Sequence, residues 1–176
     1  MQGLQIDIAE LAGKPGAGKA VRGCVAVEGL RGALAWVGDD DPIDLDLSLD
    51  RVEEGIAVFG KISGRAQLTC SRCLVGYEQP FERTADEIYC FSADVAARTE
   101  GYAVEDMTVD LEPMVRDLVV LELPVNPLHS ADCAGLCTVC GADLNLEDCG
   151  HRKRALDARW APLESMLAER LQSENK

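Results

Sequence analysis

Apolar and polar residues alternate strictly through Ile-Asp-Leu-Asp-Leu-Ser-Leu at 43–49. Successive side chains of a strand point to opposite faces, so this period of two predicts a strand with Ile43, Leu45, Leu47 and Leu49 turned inward. The stretch LQIDIA (4–9) alternates in the same way and predicts a second strand. GKPGAGKA (13–20) reads as a loop and DDDP (39–42) as a charged turn. Residues 51–70 pass through a Glu-Gly turn into a run rich in β-branched residues, and 77–91 read as its antiparallel return. Pro80 has no N–H to give a ladder, so it requires a sheet edge or a bulge there. The period then lengthens. DLEPMVRDLVVLELP places Leu111, Met114, Val115, Leu118 and Val119 on one face of a helix over 110–122, with Asp110 as its cap and Pro124 as its stop. WAPLESMLAERL (160–171) repeats the stripe with Trp160, Leu163, Leu167 and Leu171, predicting a closing helix packed back on the body. The expected fold is α+β: an antiparallel sheet over about 4–92, a helix, a cysteine-rich knuckle and a closing helix. Its expected divisions are a β-rich body at 1–125 and a cysteine-rich segment with the last helix at 126–176.

Composition narrows the class of function. The chain has 176 residues, 47% of them hydrophobic, enough to bury a core without covalent staples. A net charge of −14 repels phosphate, so bulk attraction to nucleic acid is disfavoured and a basic protein partner is favoured. The first twenty residues show no basic segment leading into an apolar one, and no run of eighteen apolar residues occurs. The expected location is therefore cytoplasmic, without membrane attachment. In a reducing compartment, clustered cysteines serve as ligands or catalysts more often than as disulfides.

The cysteines are clustered. CAGLCTVCGADLNLEDCGH (133–151) holds four of the eight cysteines and one of the two histidines. Cys137-Thr-Val-Cys140-Gly141 is a turn that points two thiolates at one ion, and Gly141 permits the positive φ such a turn needs. Cys149 returns nine positions later. Cys133 and His151 compete for the fourth place, with His129 a further candidate. The expected ion is zinc, in a closed set of protein ligands with no open position for water, hence structural. A second pair, Cys70-Ser-Arg-Cys73, has three readings: a structural turn, a redox pair, or half of a second metal site. A redox pair draws its reactivity from a helix N-terminus, and SRCLVGYEQPF is not a helix start. Cys24 and Cys90 stand alone and are expected to be buried.

Other motifs carry less. Gly13, Gly18 and Lys19 approach a phosphate-binding loop, but Ala20 occupies the place of the magnesium-binding Ser or Thr, and no helix pattern follows. Arg152, Lys153 and Arg154, with Arg159 nearby, form the strongest basic cluster and are the candidate contacts for RNA or another partner. No constellation for acid–base or nucleophilic catalysis is present in the sequence.

LTCSRCL, LELPVNPL, CAGLCTVCGADLNLEDC and LDARWAPLESML together resemble the YceD family, over roughly residues 20–171. The resemblance implies a cytoplasmic, non-catalytic factor in the accumulation of large-subunit ribosomal RNA or in ribosome assembly. Its implied partners are a ribosomal RNA precursor, a basic ribosomal protein, or both, with no small-molecule substrate. Many relatives have Cys-x-Cys where this chain has Cys149-Gly150-His151, a swap that keeps a zinc ligand. They also tend to have Asp-Pro-Arg at Asp157-Ala158-Arg159. Two other readings compete: a thiol redox protein working through Cys70 and Cys73, and a zinc-stapled interaction domain unrelated to RNA.

Overall fold

The computed structural model describes residues 4–13 and 16–151, together with Leu163 and Met166. The chain divides into two compact units, Met1–Cys133 and Ala134–Lys176.

The larger unit is built on the alternating stretches. Strand β1 (Gln5–Asp7) is followed by a short helix α1 (Ala9–Ala12), then β2 (Gly18–Val25), β3 (Ala35–Trp36), β4 (Ile43–Arg51), β5 (Gly55–Thr69) and β6 (Gly76–Cys90). Helix α2 (Ala93–Thr99), β7 (Tyr102–Ala103), β8 (Thr108–Asp110) and helix α3 (Glu112–Glu122) complete it. The main sheet runs β2-β4-β5-β6-β7, and β3 pairs with β5 beyond the end of β4. All its pairings are antiparallel except the short β6–β7 contact.

The sheet and its core follow from sequence period. Ile43, Leu45, Leu47 and Leu49 are all buried, as the alternation predicts. On β5 the even positions Ile56, Val58, Ile62, Ala66 and Leu68 are buried, and Cys70 continues that row just past the strand's end. Helix α3 lays Met114, Val115, Leu118 and Val119 into the same core. Asp110 does not occupy the cap position, which is Leu111; its Oδ1 instead accepts the Glu112 amide at 2.9 Å and satisfies one donor of the first turn. The buried Tyr89 donates its hydroxyl to the Asp110 carbonyl at 2.8 Å and so ties β6 to the start of α3. The outer face carries exposed cross-strand ion pairs, Arg22–Asp46, Lys61–Glu82 and Arg65–Glu78. Each is worth at most about 1 kcal/mol.

The hairpin β5–β6 is the longest feature, fifteen residues paired without interruption from Gly55↔Cys90 to Thr69↔Gly76. Pro80 therefore sits opposite Arg65 in unbroken register. It is accommodated by an edge, because β7 pairs only with Tyr89 and Cys90 and leaves that part of β6 unpartnered on its other side. Gly60 faces Leu47 with a φ of +145°, and a Cβ there would run into the Asp46 carbonyl oxygen. Only glycine lets β4 and β5 approach so closely.

Several expectations need correction. The first strand does not join the main sheet; β1 pairs with β8 in a separate two-stranded ribbon, and residues 9–12 turn into helix because Asp7 Oδ1 captures the Ala9 amide at 2.8 Å. The loop expected to reach residue 20 ends earlier, with Gly18 already paired to Asp50. Cys24 is exposed, not buried: it lies on the edge strand β2 and donates its thiol to Asp44 Oδ1 at 2.8 Å. Cys90 is buried as expected. Leu163 and Met166 are helical and exposed, while Trp160, Leu167 and Leu171 lie outside the described residues.

In the smaller unit the described stretch 134–151 is a series of turns. The Leu144 amide donates to the Gly135 carbonyl at 2.9 Å, and Asn145 Oδ1 accepts the Ala134 amide at 2.7 Å. None of the helices among the described residues is long and apolar enough to cross a membrane.

Candidate metal centres

The tip of the β5–β6 hairpin is the Cys70–Val75 turn. The Cys70 amide donates to the Val75 carbonyl at 2.9 Å, and the Leu74 amide donates back to the Cys70 carbonyl at 3.0 Å. Leu74 pays for the tightness of this turn with a left-handed φ of 61°. The loop that follows α3 lies against the tip. The Ser71 amide donates to the Pro127 carbonyl at 2.8 Å, and Arg72 donates to the Cys133 carbonyl at 3.0 Å. These bonds bring His129 and Cys133 to Cys70 and Cys73. Cys70 Sγ and Cys133 Sγ are 3.8 Å apart, and Cys73 Sγ and His129 Nδ1 are 3.3 Å apart. All four donor atoms lie within 4.8 Å of one another; the three thiols are buried and His129 is exposed.

Cys137, Cys140, Cys149 and His151 form a second group with donor atoms within the same limit. The Cys137 amide donates to the Ala142 carbonyl at 2.8 Å, and the Gly141 amide donates to the Cys137 carbonyl at 2.9 Å. Gly141 holds a φ of 77°, as the sequence predicts for that position. Gly150, with a φ of 72° and its amide on Asp148 Oδ1 at 2.9 Å, turns Cys149 and His151 toward the same point, 3.4 Å apart. Here Cys137 is buried, Cys149 half-buried, and Cys140 and His151 are exposed.

Both groups have the chemistry and dimensions of a four-coordinate site. With sulfur about 2.3 Å and nitrogen about 2.0 Å from a central ion, tetrahedral neighbours lie about 3.5–3.8 Å apart. The separations of 3.3, 3.4 and 3.8 Å lie within about 0.2 Å of those edges. Each set offers three sulfurs and one imidazole nitrogen, so each can hold a metal ion. The surroundings favour thiolate at one cysteine of each set. Burial pushes the Cys70 thiol up, but hydrogen bonds from His129 and from nearby backbone amides outweigh it and bring it down to about 5. Burial pushes Cys73 up to about 11. The amides of Cys140 and Val139 bring Cys137 down to about 6.

Of the five candidate ligands, the structure gathers Cys137, Cys140, Cys149 and His151 in one set and places Cys133 in the other. Counting residues made Cys133 a rival for the fourth place beside Cys137. The bonds of Ser71 and Arg72 to the 127–133 loop instead bind it to the hairpin tip. His129, the further candidate, stands there too. Cys70 and Cys73 occupy a hairpin turn and not a helix start, so no helix N-terminus stands behind the pair. A signal for the first set was present in the sequence: leaving aside Cys24 and Cys90, six cysteines and two histidines make two sets of four. Arg152, Lys153, Arg154 and Arg159 lie outside the described residues.

A family model described as "Large ribosomal RNA subunit accumulation protein YceD" matches residues 58–167, which span every residue of both sets. An uncharacterized protein of Mycobacterium tuberculosis is 34% identical over 169 residues, covering 93% of this chain and 81% of the relative. The uncharacterized protein YlbN of Bacillus subtilis is 33% identical over 110 residues, 61% of this chain and 64% of its own length. The Arabidopsis thaliana protein named "Large ribosomal RNA subunit accumulation protein YCED homolog 1, chloroplastic" is 32% identical over 166 residues, 77% of this chain and 52% of the relative. No solved structure matches the chain. With a family match running from Val58, near the start of β5, to residue 167, beyond His151, the chain belongs to the YceD family.

Proposed function

We propose that this protein is a non-catalytic factor in the accumulation of large-subunit ribosomal RNA, acting in the cytoplasm during ribosome assembly. The observation that carries the reading is the family match across both donor sets, joined to the name of the Arabidopsis relative. In this reading Cys137, Cys140, Cys149 and His151 hold a structural zinc ion. Each set has four protein donors, and a closed set leaves no position for an activated water. The ion supplies rigidity, fixing a short turn-rich segment that has few apolar residues to bury. The net charge of −14 favours a basic ribosomal protein as the principal partner. Arg152, Lys153, Arg154 and Arg159 would supply the local contacts to a ribosomal RNA precursor.

Deleting the gene in its own host and measuring large-subunit against small-subunit ribosomal RNA tests the reading. A fall in that ratio, restored by the intact chain, is expected; an unchanged ratio overturns it. For the RNA contacts, replacing Arg152, Lys153 and Arg154 by Ala should weaken binding to the precursor. It should also flatten the dependence of log K on log salt by about 2–3, from about 0.7–0.9 for each lost phosphate contact. An unchanged slope assigns the docking to protein alone.

A further inference from the structure

We propose that Cys70, Cys73, His129 and Cys133 hold a second structural zinc ion, which locks the tip of the β5–β6 hairpin to the loop that follows α3. The inference does not depend on the ribosomal reading.

Three independent observations carry it. The first is donor geometry. Three sulfurs and one imidazole nitrogen converge from two segments, with separations of 3.8 and 3.3 Å that lie within about 0.2 Å of the edges of a zinc tetrahedron. The second is burial. Cys70, Cys73 and Cys133 are buried together, yet their surroundings are not simply a hydrophobic core. Arg72 donates to the Cys133 carbonyl and the Ser71 amide to the Pro127 carbonyl, so the backbone around the thiols is held in place by polar bonds. The third is the turn itself. The Cys70 turn repeats the hydrogen bonds of the Cys137 turn position for position. In each, the first cysteine's amide bonds to the carbonyl five residues on, and the residue after the second cysteine bonds back with a left-handed φ. At Cys137 a glycine adopts that φ without cost. At Cys70 a leucine adopts it, and Leu74 is 60% exposed, so no packing of its side chain repays the strain. A conformation of that kind persists where its surroundings over-determine it, and two thiolates fixed on one ion would do so.

Binding balances without a redox step: one Zn²⁺ takes three thiolates and the neutral His129 nitrogen, releasing to solution whichever thiol protons remain and leaving a site of net charge −1. The set is closed, so the ion would activate no water. Its mechanical effect is to close a loop of the chain from the hairpin tip, across α2 and α3, to residue 133.

The test is metal content of the full chain purified under reducing conditions without added metal, followed by Co²⁺ substitution. The intact chain should retain two zinc ions. The double variant Cys149→Ser, His151→Ala should retain one, and so should Cys133→Ser. A single ion in the intact chain that survives Cys133→Ser and vanishes with the Cys149 variant overturns the inference and leaves the C-terminal site standing. The reverse pattern sinks only the C-terminal site. Should Cys133→Ser fail to fold, His129→Cys decides. It keeps four donors, so two ions should remain and the Co²⁺ thiolate charge-transfer absorption should rise by the share of one added sulfur. A spectrum unchanged by His129→Cys overturns the proposal, as does a Cys70–Cys73 disulfide in place of the second ion.

Discussion

In the turn at Cys70 the left-handed position is filled by Leu74, and in the turn at Cys137 by Gly141, with φ of 61° and 77°. The hydrogen bonds are otherwise the same, to within 0.1 Å in the two pairs of distances, 2.9 and 3.0 Å against 2.8 and 2.9 Å. The settings are opposite. The Cys70 turn ends a fifteen-residue hairpin whose inward row runs into the core, and three of its four donors are buried. The Cys137 turn ends no strand longer than a single bridge, Leu136↔Asp143, and two of its four donors are exposed. One local solution thus serves two purposes. At the hairpin tip the sheet fixes both ends of the turn, and the proposed ion would hold the strained leucine between them. In the turn-rich segment, with little apolar surface to hold it, the turn has the unstrained residue.

Removing metal should separate the two most strongly. A competing chelator, followed by a zinc-sensitive dye, should strip the exposed Cys137 set first and the buried Cys70 set in a slower phase. A single phase would show the settings to be equivalent. Next in size, Cys70→Ser should lower the stability of the larger unit by several kcal/mol, since structural zinc contributes about 10–16 kcal/mol in small zinc domains and three donors retain part of it. That corresponds to a fall in melting temperature on the order of 10 °C by circular dichroism. Cys149→Ser should leave the sheet's transition within about 2 °C, because Cys149 belongs to the other compact unit. Equal falls would break the comparison. Gly60→Ala places a methyl group against the Asp46 carbonyl and should cost the sheet about 1–3 kcal/mol in denaturant unfolding. It should weaken metal retention at Cys70 and leave Cys137 untouched.

The smallest effects come from exchanging the turn residues. Gly141→Ala meets no neighbour within 4 Å, so its whole cost is backbone. A left-handed alanine loses about 1–2 kcal/mol, offset by about 0.4–1 kcal/mol from a less flexible unfolded chain. A net loss of about 1 kcal/mol should appear as weaker zinc affinity at that turn. Leu74→Gly should do the reverse, gaining up to about 1 kcal/mol at the hairpin tip in urea unfolding. A loss there instead would mean that the exposed leucine side chain contributes something its burial does not reveal.

Much of this was legible residue by residue. The alternation at 43–49 placed four inward leucine and isoleucine side chains correctly, and the longer period at 111–119 placed the buried face of α3. Pro80 announced an edge, and Gly141 announced its positive φ. These are consequences of backbone geometry over a few residues, and the backbone is the same wherever the segment ends up. LQIDIA alternates as well as IDLDLSL does, yet its strand pairs with β8 outside the main sheet, because alternation says which face is apolar and not which partner it meets. Cys24 was misjudged for the same reason: its exposure depends on β2 being the last strand of the sheet.

The sequence by itself determined that two Cys-x-x-Cys turns would each present a pair of sulfurs, since spacing and turn chemistry suffice for that. Only the tertiary structure decided which histidine and which third cysteine complete each set. Cys70 meets Cys133 across 63 residues and Cys73 meets His129 across 56, distances along the chain that are closed by hairpin register, by α3 packing on the sheet, and by two hydrogen bonds from the tip. No local pattern encodes such a meeting, because its geometry is the sum of every pairing in between.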